Sequence, residues 1–228
     1  MTITLRLRED KVIDGQFMVM RHDITEKEYY EFADEDLDSE LINGVLIIHS
    51  PANPEHEDIF GYLYSLLRYF LEATSQGRVF GSRLAMRLSP TWSPEPDILV
   101  ITPEKYDNLR EGRLEGPADF IIEILSKSTK ELDLEKKLPQ YLTSGVSEIW
   151  IVDPLEMLIT VHKGGKVLTY NKEQADQKID SQVLRGFFVR VKWIWNRESY
   201  TLQSILTEGW PSERAKRPSV TKGERKRS

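Results

Sequence analysis

The chain is expected to fold as an α/β domain with a central mixed β-sheet flanked by helices. Three observations lead there. Residues 97–101, 119–125 and 148–153 are short, almost unbroken apolar runs rich in β-branched residues, the pattern of strands buried on both faces. Residues 56–73 and a stretch opening at Ser128 repeat apolar side chains at helical spacing. The second of these lies between two of the strands, and a helix in that place marks a parallel crossover.

Taken in order, residues 26–35 read as a short acidic helix. The run from Glu40 to His49 carries Asn43-Gly44 between apolar flanks, a tight-hairpin signal near the N-terminus. Ser50-Pro-Ala-Asn-Pro54 breaks the second strand. Ile59, Leu63, Leu66, Leu67, Phe70 and Leu71 then give the helix over 56–73 one apolar stripe, with Gly77 as its expected stop. Residues 78–88 alternate as a strand bent at Gly81. After the strands at 97–101 and 119–125, Ser128 and Glu131 match a capping box. The helix they open sets Leu134, Leu138, Tyr141 and Leu142 on one side, bends at Pro139 and ends at Gly145. Residues 148–153 form a strand stopped by Pro154. Residues 157–162 and 166–170 form a hairpin through Gly164-Gly165, followed by a strand near 183–189 and a helix near 198–207. The expected organisation is an extension over 1–38, a domain over 39–210 and a basic, disordered tail over 211–228.

Composition limits the chemistry. The 228 residues are 39% hydrophobic and 30% charged, as in an ordinary soluble protein. The absence of cysteine excludes disulfides, thiol catalysis and thiolate zinc sites. No apolar run approaches the roughly 20 residues of a membrane helix. The first residues lack the apolar centre of a signal peptide, so a cytoplasmic location is expected. The net charge of -6 is uneven: from Pro211 onward seven basic residues accompany two acidic ones. That tail reads either as a solvated terminus or as a contact for nucleic-acid phosphates. The acidic remainder argues against tight non-specific duplex binding over a wide surface, though not against a local basic groove.

Two carboxylates stand out. Asp97 opens one apolar strand directly after Pro96, and Glu123 lies inside another. A carboxylate in such a run is costly to bury alone. Either a divalent cation such as Mg²⁺ or Mn²⁺ bridges the two acids, or Glu123 pairs with a core-facing lysine or arginine. Asp133, Lys137 and Tyr141 follow at i, i+4 and i+8, roughly one helix face. That spacing also suits a plain surface ion pair beside a packed tyrosine. His56 opens a helix, where a structural role and a phosphate contact are both open. Trp150 belongs in the core. The other tryptophans are too scattered to argue base stacking, but the Trp-rich 187–210 region suits self-association, as in a homodimer.

The ordered set Glu40-Leu-Ile-Asn-Gly, Ser50-Pro with His56, Pro96-Asp97-Ile, Ile122-Glu-Ile-Leu-Ser126 with Ser128-Thr129, Asp133 with Lys137-Leu-Pro and Tyr141, and Gly145-Val with Glu148 to Pro154 resembles the PD-(D/E)XK nuclease superfamily. More closely it resembles the putative restriction endonuclease family abundant in cyanobacteria, over about residues 39–170. The resemblance implies a restriction-endonuclease-like core and hydrolysis of DNA phosphodiester bonds with Mg²⁺ or Mn²⁺. By position it makes Asp97 and Glu123 metal ligands, with the backbone carbonyl of Ile124 as a further oxygen. It implies a catalytic role for Lys137 and leaves Glu40 either a third acid or a hairpin residue paired with an arginine. The superfamily's usual lysine place, two residues after the glutamate, holds Leu125. Lys137 fits branches in which the lysine has moved to the next helix, and Lys127 is its rival. The alternative function is a nuclease-like fold that binds nucleic acid, protein or itself without cutting.

Overall fold

The computed structural model describes residues 18–32, 37–50, 53–81, 84–208 and 210. The expected tail and the end of the expected acidic helix lie outside them. β1 (Met18–Arg21) leads into α1 (Glu26–Phe32). The Asn43-Gly44 hairpin is present: β2 (Ser39–Ile42) and β3 (Val45–His49) pair antiparallel around it. Asn43 and Gly44 hold φ of 51° and 75°, the left-handed pair that a two-residue hairpin turn needs.

α2 (Pro54–Thr74) buries the expected stripe. Its C-cap is Ser75, at φ 56°, whose N–H donates to the Leu71 carbonyl, so Gly77 is not the stop. Gly77 instead answers a close approach: a Cβ there would stand 2.4 Å from the Ile101 carbonyl oxygen. The strand expected over 78–88 is two pieces, β4 (Arg78–Gly81) and β5 (Ala85–Arg87), which join different sheets. β6 (Trp92–Ser93) and β7 (Ile98–Ile101) follow, then a 3-10 turn, β8 (Leu109–Arg110), β9 (Arg113–Glu115) and β10 (Phe120–Ile124).

The next helix starts differently from its sequence signal. Ser128 does not cap it; its hydroxyl lies 3.0 Å from that of Ser126, and Thr129 precedes the first helical residue. Ser126 competes for the cap, because its hydroxyl accepts the Thr129 N–H and also bonds the Thr129 hydroxyl. α3 (Lys130–Leu132) continues through a π-helical turn, Asp133–Lys137, into α4 (Leu138–Ser144). Pro139 has no N–H for the Glu135 carbonyl, and the wider turn just before it absorbs that loss. Gly145 ends the helix at φ 92°, as expected.

β11 (Glu148–Asp153), β12 (Leu158–Lys163) and β13 (Lys166–Asn171) come next, the last two forming the expected hairpin. β14 (Lys178–Asp180) pairs with β15 (Phe188–Arg190), and α5 (Val191–Trp195) and α6 (Leu202–Thr207) close the described chain. The main sheet has the order β13-β12-β11-β10-β7-β4. Within it only β10 and β11 are parallel, and they are the pair joined by the 130–144 helical segment. The sheet is therefore mixed, as expected. A smaller sheet, β1-β3-β2-β6, carries Glu40 and His49.

Alternation along β10 sorts its side chains onto two faces. Phe120, Ile122 and Ile124 join the core beneath α2 and Trp150, while Ile121 and Leu125 join the core beneath Tyr141. Glu123 therefore faces the 130–144 helix. Two tryptophans of the 187–210 region lie inside the chain: Trp193 and Trp210 are 3% and 5% exposed and pack with Phe70, Phe187 and Phe188, while Trp195 is partly buried.

Candidate active site

Register builds the centre. β7 and β10 run antiparallel with Ile98 opposite Ile122, which sets Asp97 opposite Glu123. The two acids are tied across the strands by backbone amides. Asp97 N–H donates to Glu123 Oε2 at 3.2 Å, and Ile124 N–H donates to Asp97 Oδ2 at 2.7 Å. All three residues line one cleft.

The 130–144 helix supplies the opposing charge. Lys137 Nζ lies 2.8 Å from Glu123 Oε1, 3.2 Å from Asp133 Oδ1 and 3.3 Å from Glu40 Oε2. Tyr141 donates its hydroxyl to the same Glu123 Oε1 at 2.7 Å. The lysine partner that the sequence offered as the alternative for Glu123 is thus present, and it is Lys137. Burial disfavours the ammonium, but Glu123 and Glu40 outweigh it and hold Lys137 charged, well above its usual range. Burial pushes Glu123 up against the pull of Lys137, with Asp133 and Asp97 adding to the rise.

Glu40 is 1% exposed and uses both oxygens. Oε1 meets His49 Nε2 at 2.9 Å, and Oε2 accepts the Glu95 N–H at 3.2 Å beside Lys137. Burial would raise its pKa, but Lys137 and His49 overcome it and hold Glu40 at about 2. His56 enters from the first turn of α2, where Asn53 Oδ1 accepts its N–H at 2.9 Å. Its Nε2 lies 3.2 Å from Asp97 Oδ1. Burial lowers the imidazole, but the Asp97 hydrogen bond and charge raise it to about 9. Lys127 is exposed, between the cleft-lining Ser126 and Ser128, and has no ion pair among the described residues.

The sequence reading did not single out Glu95. Burial, with Glu40 and Asp38 nearby, pushes it up to about 8; Tyr29 donates to Oε1, and Oε2 is buried without a partner. Its only signal is its place in Glu95-Pro96-Asp97, beside the acid that the sequence pairs with Glu123. Asp38, Glu40, Glu95, Asp97, Glu123 and Asp133 therefore face Lys137, His49 and His56. Among the described residues, no group of three or more acidic or histidine side chains is arranged as a metal-ligand cluster. What fits a divalent cation is the carboxylate-rich donor set, its excess of acid over base, and the orphaned Glu95 oxygen.

The antiparallel strands β7 and β10 of the mixed sheet thus tie an aspartate to a glutamate, and the crossover helix delivers a lysine to them. The Uma2 family model, described as "Putative restriction endonuclease", matches residues 26–192, and the chain belongs to that family. Among solved structures, the chain is similar to a putative nuclease belonging to DUF820 from Anabaena variabilis ATCC 29413. The two share 20% identity at a TM-score of 0.66, covering 76% of this chain and 98% of the other. No curated protein matches the chain. Membership supports a nuclease function in general terms. Among the described residues no helix is long and apolar enough to cross a membrane.

Proposed function

We propose that the protein is a divalent-metal-dependent endonuclease that hydrolyses DNA phosphodiester bonds. The observation that carries this reading is the cross-tied pair: Asp97 and Glu123 are held face to face by each other's strand, in a cleft richer in acid than in base. Asp97 and Glu123 would hold Mg²⁺ or Mn²⁺, with the Ile124 carbonyl as a further oxygen. A cation bound there neutralises charge growing on the phosphate and lowers the pKa of an attacking water.

The chain's own residues have separable tasks. His56 steadies Asp97 Oδ1. Lys137 keeps Glu123, Asp133 and Glu40 together, and its enclosed ammonium stays charged, so it is a counter-charge rather than a general base. Glu40 holds Lys137 and His49. DNA must reach this acidic cleft through cations outside it, and Lys127, exposed at its edge, is suited to a phosphate.

One observation favours a second reading, a nuclease-like fold that binds without cutting. Lys137 has only 5% of its side chain exposed and three carboxylates around it. Plasmid nicking separates the two. The endonuclease reading expects nicking with Mg²⁺ or Mn²⁺, none with chelator, and loss on Asp97→Ala. Activity that survives Asp97→Ala sinks the metal-site assignment, and no nicking on any DNA with either metal supports the non-cutting fold.

A further inference from the structure

We propose that Tyr141 is a positioning residue for Glu123, fixing which of its carboxylate oxygens is left to face Asp97. The inference rests on the metal-ligand reading above. Glu123 is 2% exposed, and its two oxygens are unequally occupied. Oε1 receives the Tyr141 hydroxyl at 2.7 Å and Lys137 Nζ at 2.8 Å. Among the described residues, Oε2 receives only the Asp97 N–H, at 3.2 Å. The oxygen with spare acceptor capacity is therefore the one beside Asp97.

The two donors on Oε1 do different things. Lys137 divides its charge among Glu123, Asp133 and Glu40, so it does not select one oxygen of one acid. A phenol has a single proton. Tyr141 is fully buried, and among the described residues Glu123 is the one acceptor that its hydroxyl meets. Torsion about the terminal bond of a glutamate is soft, so a carboxylate plane needs a directional contact to stay fixed. Tyr141 supplies that contact. It is itself held by the core of Ile121, Leu125 and Ile149. Lys137 thus contributes charge and Tyr141 contributes direction. Hydrogen-bond partners of metal ligands change metal affinity by roughly 10–100-fold when removed.

The test is Tyr141→Phe in the full chain, which removes the hydroxyl and keeps the ring. Mn²⁺ is titrated calorimetrically into the wild type, Asp97→Ala and Tyr141→Phe, and plasmid nicking is measured over a range of Mn²⁺. Tyr141→Phe is expected to bind Mn²⁺ about tenfold or more weakly. Nicking should recover towards the wild-type maximum at high Mn²⁺, with an unchanged KM for DNA, a split that a merely structural role would not produce. Wild-type affinity in Tyr141→Phe, with Asp97→Ala binding nothing, overturns this inference and leaves the metal site standing. Equal Mn²⁺ behaviour of wild type and Asp97→Ala overturns the metal site and this inference with it. Should the phenylalanine variant fail to fold, Mg²⁺ titration of wild type labelled at tyrosine reads the contact directly. A shifted Tyr141 ring signal supports the inference, and an unmoved one overturns it.

Discussion

Replacing Lys137 by methionine keeps most of the side chain's length and apolar stem and deletes one charge. Three carboxylates lie within 3.3 Å of that charge, and Glu40, Glu123 and Asp133 are each no more than 4% exposed. Breaking a buried ion pair by removing one partner costs about 3–5 kcal/mol, a large part of the 5–15 kcal/mol that holds a typical domain together. The acids can relieve part of this by taking up protons. Glu123 and Asp133 already sit above their ordinary values, chiefly through burial, and losing Lys137 removes the main force pulling them down. A carboxylate whose pKa is higher folded than unfolded binds its proton more tightly in the folded state. Its destabilisation is absent below the unfolded pKa, grows as pH rises from there towards the folded pKa at about 1.4 kcal/mol per group per pH unit, and is complete above it. Urea unfolding at pH 5.5, 6.5 and 7.5 should show Lys137→Met least stable at pH 7.5 and closest to wild type at pH 5.5. Added Mn²⁺ should restore part of the loss at pH 7.5. Unchanged stability, or stability that climbs with pH over this interval, refutes the view that Lys137 neutralises the cluster.

Three further outcomes follow from other contacts. The His56 imidazolium, raised from 6.5 to about 9 by Asp97, stabilises the fold below pH 6.5, and this is lost as pH rises through 9. His56→Ala should therefore be less stable than wild type by about 3 kcal/mol at pH 6.5 in urea unfolding, with the gap closing by pH 9.5. Glu148 is fully buried and accepts from Trp150 Nε1, the Ser181 hydroxyl and the Gln182 and Val183 amides, so Glu148→Leu strands four donors. That variant should lose about 3–5 kcal/mol in urea unfolding while its folded fraction still binds Mn²⁺ like wild type. Gly77→Ala forces a Cβ against the Ile101 carbonyl and should cost about 1–3 kcal/mol, read as a lowered Tm with unchanged nicking at low temperature.

Local pattern carried far along this chain where one short segment contained the whole physical reason. Asn43-Gly44 specifies its own turn, the runs at 97–101, 119–125 and 148–153 are apolar enough to be strands in any arrangement, and Gly145 ends its helix by its own φ. The i, i+4, i+8 spacing also put Asp133, Lys137 and Tyr141 on one helix face, and in the structure Lys137 and Tyr141 both meet Glu123. What escaped depended on partners distant in sequence. Ser128 loses the cap to a contest with Ser126 and Thr129 that a capping pattern does not weigh. Gly77 looked like a helix stop, whereas its missing side chain makes room for a carbonyl on β7. Glu148 read as the start of a strand, and the four donors that hydrogen-bond it come partly from residues 181–183. His56 meets Asp97, and Glu40 meets Lys137, only once the smaller sheet and α2 have closed over the strand ends.

The most direct test of the account is a crystal of the wild-type protein soaked in Mn²⁺, with anomalous scattering recorded above the manganese edge. The account predicts a peak between the carboxylates of Asp97 and Glu123, next to the Ile124 carbonyl, and no peak there in Asp97→Ala crystals. Manganese bound elsewhere, or an empty cleft at millimolar Mn²⁺ with Lys137 still seated on Glu123, would contradict it.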